Sequence, residues 1–297
     1  MRGTLSRWLW PETHGKSGTP MTHRNRQLMG VAAAIVACLA TMACDGIHLG
    51  KSAQVPAPPA VSPSDVQRSV SSPARPAGTL AGLVVGIDPG HNGLNGTDPS
   101  YINSLIWNGR EQETCDTTGT QTDGGYTEAQ FNFRVARFLR ADLLHDGARV
   151  VMTRASNRGV GPCVTRRAQI LNRGHANVAI DIHADGGPPS GRGFTVLEPV
   201  ADGPNDKVIA ASERFGSDVR WALLRYTQMP VSTYDGVNGI TQRDDLAGLN
   251  LTRVPKVLIE CGNMRNATDA AMLVSATFQR RLARALEAAI IRYLGRA

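Results

Sequence analysis

Three apolar runs in this 297-residue chain each end on residues that carry chemistry, and that repetition constrains the fold more than any other feature. Leu83-Val84-Val85-Gly86-Ile87 runs into Asp88-Pro89-Gly90-His91, residues 177–182 run into His183-Ala184-Asp185, and Lys256-Val257-Leu258-Ile259 runs into Glu260. Short continuous apolar runs bounded by turn residues are buried strands. Between the first two, Phe131, Val135, Phe138, Leu139 and Leu143 fall at helical spacing. Thr127 and Gln130 offer a capping box at the start of that helix, over 127–144, and Gly147 offers a stop. Further strands are expected at 149–152 and 194–197, and further helices at 163–171, 207–226 and, unbroken, 270–294. Alternating strands and helices predict a single α/β domain: a twisted, mainly parallel sheet with helices on both faces.

Sheets of this kind bind ligands beyond the carboxyl ends of their strands. That rule selects His91, His183 and Glu260, with Glu128 at the N-terminus of the first long helix. Two imidazoles, one carboxylate and an open fourth position make a catalytic zinc site. A second carboxylate off the metal would take a proton from the attacking water and pass it to the leaving amine. Each residue also has an ordinary reading. His91 could be a solvated turn residue and His183 a satisfied core histidine. Glu128 could serve the helix dipole, and Glu260 could pair with Arg265. The four placements taken together are what point to metal-assisted hydrolysis.

The N-terminal arm reads as an address. Arg24 and Arg26 precede an apolar run from Leu28 to Ala43, which is shorter than a membrane span and fits a signal-peptide region over 1–43. Translation could start at Met21. Cys38 and Cys44 each lie where a lipid anchor could attach, the alternative being cleavage after Ala43. Residues 44–79 are rich in Pro, Ser and Ala and read as a linker too poor in apolar side chains to fold. Folding is expected to begin near Leu80. Net charge is +7, but residues 1–79 carry 8 Lys/Arg against 3 Asp/Glu, so most of the excess belongs to the arm. The body lacks a basic stripe with interleaved aromatics, which argues against nucleic acid as a partner.

The segments Gly86-Ile87-Asp88-Pro89-Gly90-His91-Asn92-Gly93, Asp181-Ile182-His183-Ala184-Asp185 and Leu258-Ile259-Glu260-Cys261-Gly262-Asn263 resemble the signature segments of zinc-dependent N-acetylmuramoyl-L-alanine amidases. Gly125-Tyr126-Thr127-Glu128 resembles that family's metal-binding glutamate segment. The likeness covers nearly all of 80–297. It is greatest to the small mycobacterial peptidoglycan amidases, through Gly161-Pro162-Cys163, His183-Ala184-Asp185-Gly186-Gly187 and Asp245-Leu246-Ala247-Gly248-Leu249-Asn250.

The resemblance implies that His91, Glu128 and His183 hold Zn²⁺ and that Glu260 is general base and then acid. Glu111 and Glu113 are competing carboxylates for the Glu128 role, but they are expected to lie in a loop with nothing to position them. The signal-peptide reading makes this an exported enzyme of the periplasm or cell envelope, soluble or a lipoprotein. By the resemblance, it would cleave the amide between N-acetylmuramic acid and L-alanine of peptidoglycan or muropeptide fragments during cell wall remodelling and turnover. Two other readings stay open: another envelope zinc peptidase, or a catalytically silent wall-binding domain. A monomer is expected. The cysteines matching those of the mycobacterial enzymes imply a Cys115–Cys163 disulfide, consistent with an oxidising compartment. Cys261 is expected to face the core, opposite Glu260. Residues 198–207 are expected to form a short loop rather than the helical insertion that blocks the zinc in regulated members. Asp181 and Asp185 are both candidates to orient a ligand histidine. Residues 234–238 are expected to line the substrate groove.

Overall fold

Alternation along the strands sorts the interior into two unlike faces. The computed structural model describes residues 78–295. The signal-peptide region, the Met21 start, lipid attachment at Cys38 or Cys44 and the linker up to residue 77 lie outside the described residues. The elements run β1 (Val84–Pro89), α1 (Pro99–Ile102), β2 (Leu105–Trp107), β3 (Gln112–Thr114), α2 (Glu128–His145), β4 (Arg149–Met152), α3 (Val164–Arg173) and β5 (Val178–Asp185). They continue through β6 (Thr195–Pro199), α4 (Ile209–Tyr226), β7 (Ile240–Arg243), α5 (Ala247–Asn250), β8 (Lys256–Asn263), α6 (Ala267–Leu273) and α7 (Ala276–Tyr293).

Six of these strands form one sheet in the order β4-β1-β5-β8-β6-β7, parallel throughout except for the β6–β8 pair. On one face, Val85, Ile87, Ile180, Ile182, Val257 and Ile259 meet Phe131 and Leu139 of α2, Phe215 of α4, and Leu282 and Leu286 of α7, all fully or nearly fully buried. Cys261 shares this face and is buried, as expected. The alternate residues face α3 and α5. There Val84 and Ala179 pack on Leu171, and Leu197 and Leu258 pack on Leu249. Asp88, Asp181, His183, Lys256 and Glu260 have this second parity, so the polar chemistry gathers under the two shorter helices. The mainly parallel α/β sheet with helices on both faces is therefore the observed architecture.

Local chemistry explains where elements start and stop. Thr127 caps α2 by accepting from the Gln130 backbone amide, and Gly147 ends it in the left-handed region, at φ 86°. Leu80 is fully buried and donates its amide to the Asp146 carbonyl, tying the start of the body to the end of α2.

Two expectations fail here. The C-terminal helix is not continuous, because Asn266 caps α6 and Ser275 opens α7 by accepting from the Phe278 amide. A polar capping residue offers helix donors a partner and so marks a fresh start. Glu113 is not in an unstructured loop. It lies on β3, pairs across to β2, and accepts from Asn108 Nδ2 and the Ala247 amide. Those two donors give Glu113 structural partners of its own. Between β6 and α4 the chain passes through a short loop and a single 3-10 turn, Asp206–Val208, with no helical insertion among the described residues.

Candidate metal centre

His91, Glu128 and His183 each offer one donor atom, and these atoms lie within 4.8 Å of one another. Glu128 Oε1 is 2.8 Å from His183 Nδ1 and 3.2 Å from His91 Nε2. Three separate parts of the chain supply the set. His91 follows β1 in a left-handed conformation, φ 56°, that β-carbon sterics disfavour outside glycine. His183 is near the end of β5. Glu128 is the first residue of α2, held by the Thr120 amide at 3.0 Å, Asn132 Nδ2 at 3.3 Å and the Ala184 amide at 3.3 Å. Two glycines make the convergence sterically feasible. A β-carbon on Gly90 would sit 2.1 Å from the His183 ring, and one on Gly119 would sit 2.7 Å from both Glu128 and His91.

The outer nitrogens of both rings face carboxylates. His91 Nδ1 lies 3.1 Å from Asp116 Oδ1 and 3.2 Å from the Thr117 carbonyl. Burial works to raise the Asp116 carboxyl, but His91 and Arg167 outweigh it and hold it below the usual range. An ionised carboxylate and a carbonyl only accept, so Nδ1 carries the proton and Nε2 is the nitrogen turned inward. His183 Nε2 lies 3.3 Å from Asp181 Oδ1, leaving Nδ1 inward. Of the two aspartates the sequence left open, Asp181 is therefore the one behind a histidine. Asp185 accepts from the Tyr234 hydroxyl at 2.7 Å instead. Asp116 was not anticipated: it lies in a long loop without periodicity, where nothing in the sequence distinguishes it.

These inward atoms fit a divalent cation such as zinc. Two imidazole nitrogens and a carboxylate oxygen converge on one point, and the opposite ring nitrogens face carboxylates, as is usual for metal-binding histidines. Burial alone would lower both histidines, yet Glu128 and Asp116 lift His91 to about 9, and Asp181 and Glu128 raise His183 well above its ordinary value.

Glu260 stands in register with His183 on the adjacent strand β8. Its Oε2 is buried with no hydrogen-bond partner. Burial, together with the carboxylates of Glu128 and Asp185, pushes its carboxyl well above the usual range against the pull of His183 and His91. Arg265 pairs with Asp123 rather than with Glu260. Glu111 is an exposed loop residue, and Glu113 has the structural partners described above. Tyr234 packs over Gly187 and Gly191 while its hydroxyl reaches Asp185, placing the 234–238 loop beside the site.

Cys115 and Cys163 are free thiols, so the expected bridge is not formed. They are nevertheless neighbours. Burial, then the adjacent Cys163 thiol, push the Cys115 thiol up to about 12, and the Val164 amide donates to the Cys115 carbonyl at 2.8 Å.

Comparison with known proteins points one way. The profile of the N-acetylmuramoyl-L-alanine amidase family matches residues 85–292. An N-acetylmuramoyl-L-alanine amidase of Mycobacterium tuberculosis is 37% identical over 232 residues, which cover 76% of this chain and 92% of that protein. The crystal structure of the apo amidase Ami1 of Mycobacterium abscessus superimposes with a TM-score of 0.68 at 40% identity, covering 72% of this chain and 100% of that one. Ami1 of Mycobacterium smegmatis gives a TM-score of 0.69 at 38% identity, covering 73% of this chain and 98% of that one.

Proposed function

Because this chain belongs to the N-acetylmuramoyl-L-alanine amidase family and is a peptidoglycan amidase, we propose that its hydrolysis depends on a zinc ion held by His91, Glu128 and His183. The observation that carries this reading is the meeting of those three donors beside Glu260, whose strand partner is His183. A zinc ion held there supplies Lewis-acid activation of water and of the scissile carbonyl. Glu260 takes a proton at its free Oε2 from the attacking water. It then delivers that proton to the departing amine of L-alanine, which leaves neutral rather than as an amide anion. Asp116 and Asp181 keep the two imidazoles turned inward. Asp185 and the Tyr234 hydroxyl form one wall of the approach, where the stem peptide would lie.

The biological setting belongs to the same proposal. The enzyme acts on peptidoglycan or muropeptides in cell wall remodelling and turnover, as an exported monomer of the envelope. The 1–43 segment is its export signal, 44–79 its linker, and Cys44 or Cys38 the site of any lipid anchor. A wall-binding domain without activity would not need a carboxylate with a free oxygen beside the metal donors. The test is metal analysis of the purified chain alongside mass spectrometry of its peptidoglycan digest. Zinc at one per chain with release of stem peptides bearing a free L-alanine amino group supports the reading. Zinc with cleavage only inside the stem peptide would favour an envelope peptidase instead.

A further inference from the structure

Behind the two imidazoles lies an ion network that no chemical step uses. Asp116 faces His91 through Oδ1 and accepts from Arg167 through Oδ2, at 3.1 Å. Asp181 faces His183 through Oδ1 and pairs with Lys256 Nζ through Oδ2, at 3.2 Å. Asp88 joins the two branches: Oδ1 accepts from Arg167 at 2.9 Å and Oδ2 meets Lys256 Nζ at 3.3 Å. The side chains of Asp88, Asp116, Arg167 and Lys256 are at most 3% exposed, and that of Asp181 is 7% exposed.

Stability does not account for such a cluster. Desolvating five charges costs several kcal/mol per ion, and apolar residues of similar size commonly do as well or better. What apolar residues cannot do is present a fixed anion to the outer nitrogen of each imidazole. Arg167 shows how tightly the arrangement is specified. Its guanidinium donates to Asp88, to Asp116 and to the carbonyls of Pro162, Pro89 and His91. It thereby holds the His91 carboxylate partner and the left-handed His91 backbone at once. A lysine cannot span those five acceptors.

We infer that Asp88, Arg167 and Lys256 form a buried frame that positions both histidines for the cation, acting through Asp116 and Asp181. These are positioning residues, and none touches the substrate. The frame explains why Lys256, at the start of β8 and far from its exit, is an ion rather than the valine or isoleucine that a buried strand usually carries. It also makes the two ligand histidines interdependent, since Asp88 ties the branches together.

The inference rests on the zinc reading, and the experiment separates the two. Zinc affinity is measured by chelator competition on the full chain for wild type, Arg167→Lys, Asp181→Asn and Lys256→Met, with melting temperature recorded for each. Leu286→Ala, which opens the distant apolar core on α7, serves as the destabilised control. Nitrogen-15 spectra of the zinc-loaded proteins report which ring nitrogen of each histidine carries the proton. The frame predicts a roughly 10- to 100-fold loss of zinc affinity in Arg167→Lys and Asp181→Asn, a disturbed histidine tautomer pattern, and unchanged affinity in Leu286→Ala. If Lys256→Met does not fold, Asp181→Asn tests the same branch. Wild-type zinc binding with every folded variant within about threefold overturns the frame alone. Absence of zinc from the wild type overturns both readings.

Discussion

His183 and Glu260 are register partners on adjacent parallel strands, and the β5–β8 ladder shifts immediately after them. Partners in register project to the same side of a sheet, so a candidate metal donor and a buried carboxylate stand side by side on the rigid core. The shift places Asp185 opposite Asn263. Bulges of this kind re-aim side chains next to active sites, and here Asp185 is turned towards Tyr234 rather than towards the metal donors.

Gly90 should prove as necessary as a ligand. A β-carbon there would lie 2.1 Å from the His183 ring, which Asp181 and Glu128 hold on either side. Gly90→Ala is expected to displace that ring and weaken zinc binding by roughly tenfold or more, the scale seen when a metal-binding histidine loses its orientation. Chelator competition measures it, and undiminished affinity would show that the ring has room the geometry denies.

Cys115 and Cys163, free and adjacent, should respond to an added oxidant. The thiols are already neighbours, with Cys163 capping α3 and the Val164 amide bound to Cys115. Joining residues this far apart in sequence stabilises by roughly 3–4 kcal/mol in a chain-entropy model. Protein oxidised in vitro should melt several degrees higher than reduced protein, and Cys115→Ser should remove the difference. Two titratable thiols persisting after oxidation would contradict the pairing.

Glu198 should make stability depend on pH. It is 4% exposed and its Oε1 has no partner. Burial, reinforced by Glu213, pushes its carboxyl up to about 7. The unfolded chain ionises this group near its ordinary 4.5, while the folded chain keeps the proton until about 7. Stability from this group is therefore full below about 4.5 and falls as pH rises through 7. Glu198→Gln should flatten that decline, by on the order of 1 kcal/mol or roughly 2–4 °C in melting temperature at pH 8 relative to wild type. Parallel melting profiles for the two proteins from pH 5 to 8 would refute this.

Much of the site was legible because periodic elements carry it. The apolar runs of β1, β5 and β8 and the spacing of α2 located His91, His183, Glu260 and Glu128 without any contact information. The supporting residues were not legible, for distinct physical reasons. Asp116 comes from an aperiodic loop whose path depends on contacts with α3. Lys256 stands at the start of an expected strand, and only the meeting of Asp88 and Asp181 across β1 and β5 shows it to be a buried ion. Glu113 gained a strand from a local two-stranded pairing with no apolar alternation. The C-terminal helix looks continuous in sequence because Val274 and Ser275 interrupt it without a glycine or proline, so only the Ser275 cap marks the break.

The most direct test of the catalytic account is Glu260→Gln, assayed for zinc content and for release of L-alanine-ended stem peptides from peptidoglycan. Glu260 is assigned the proton and not the metal, so the account predicts wild-type zinc with hydrolysis slowed by about 10²–10⁴-fold, the range typical of losing a general base. Wild-type turnover would remove Glu260 from the reaction, and loss of zinc along with activity would show it to be a ligand instead.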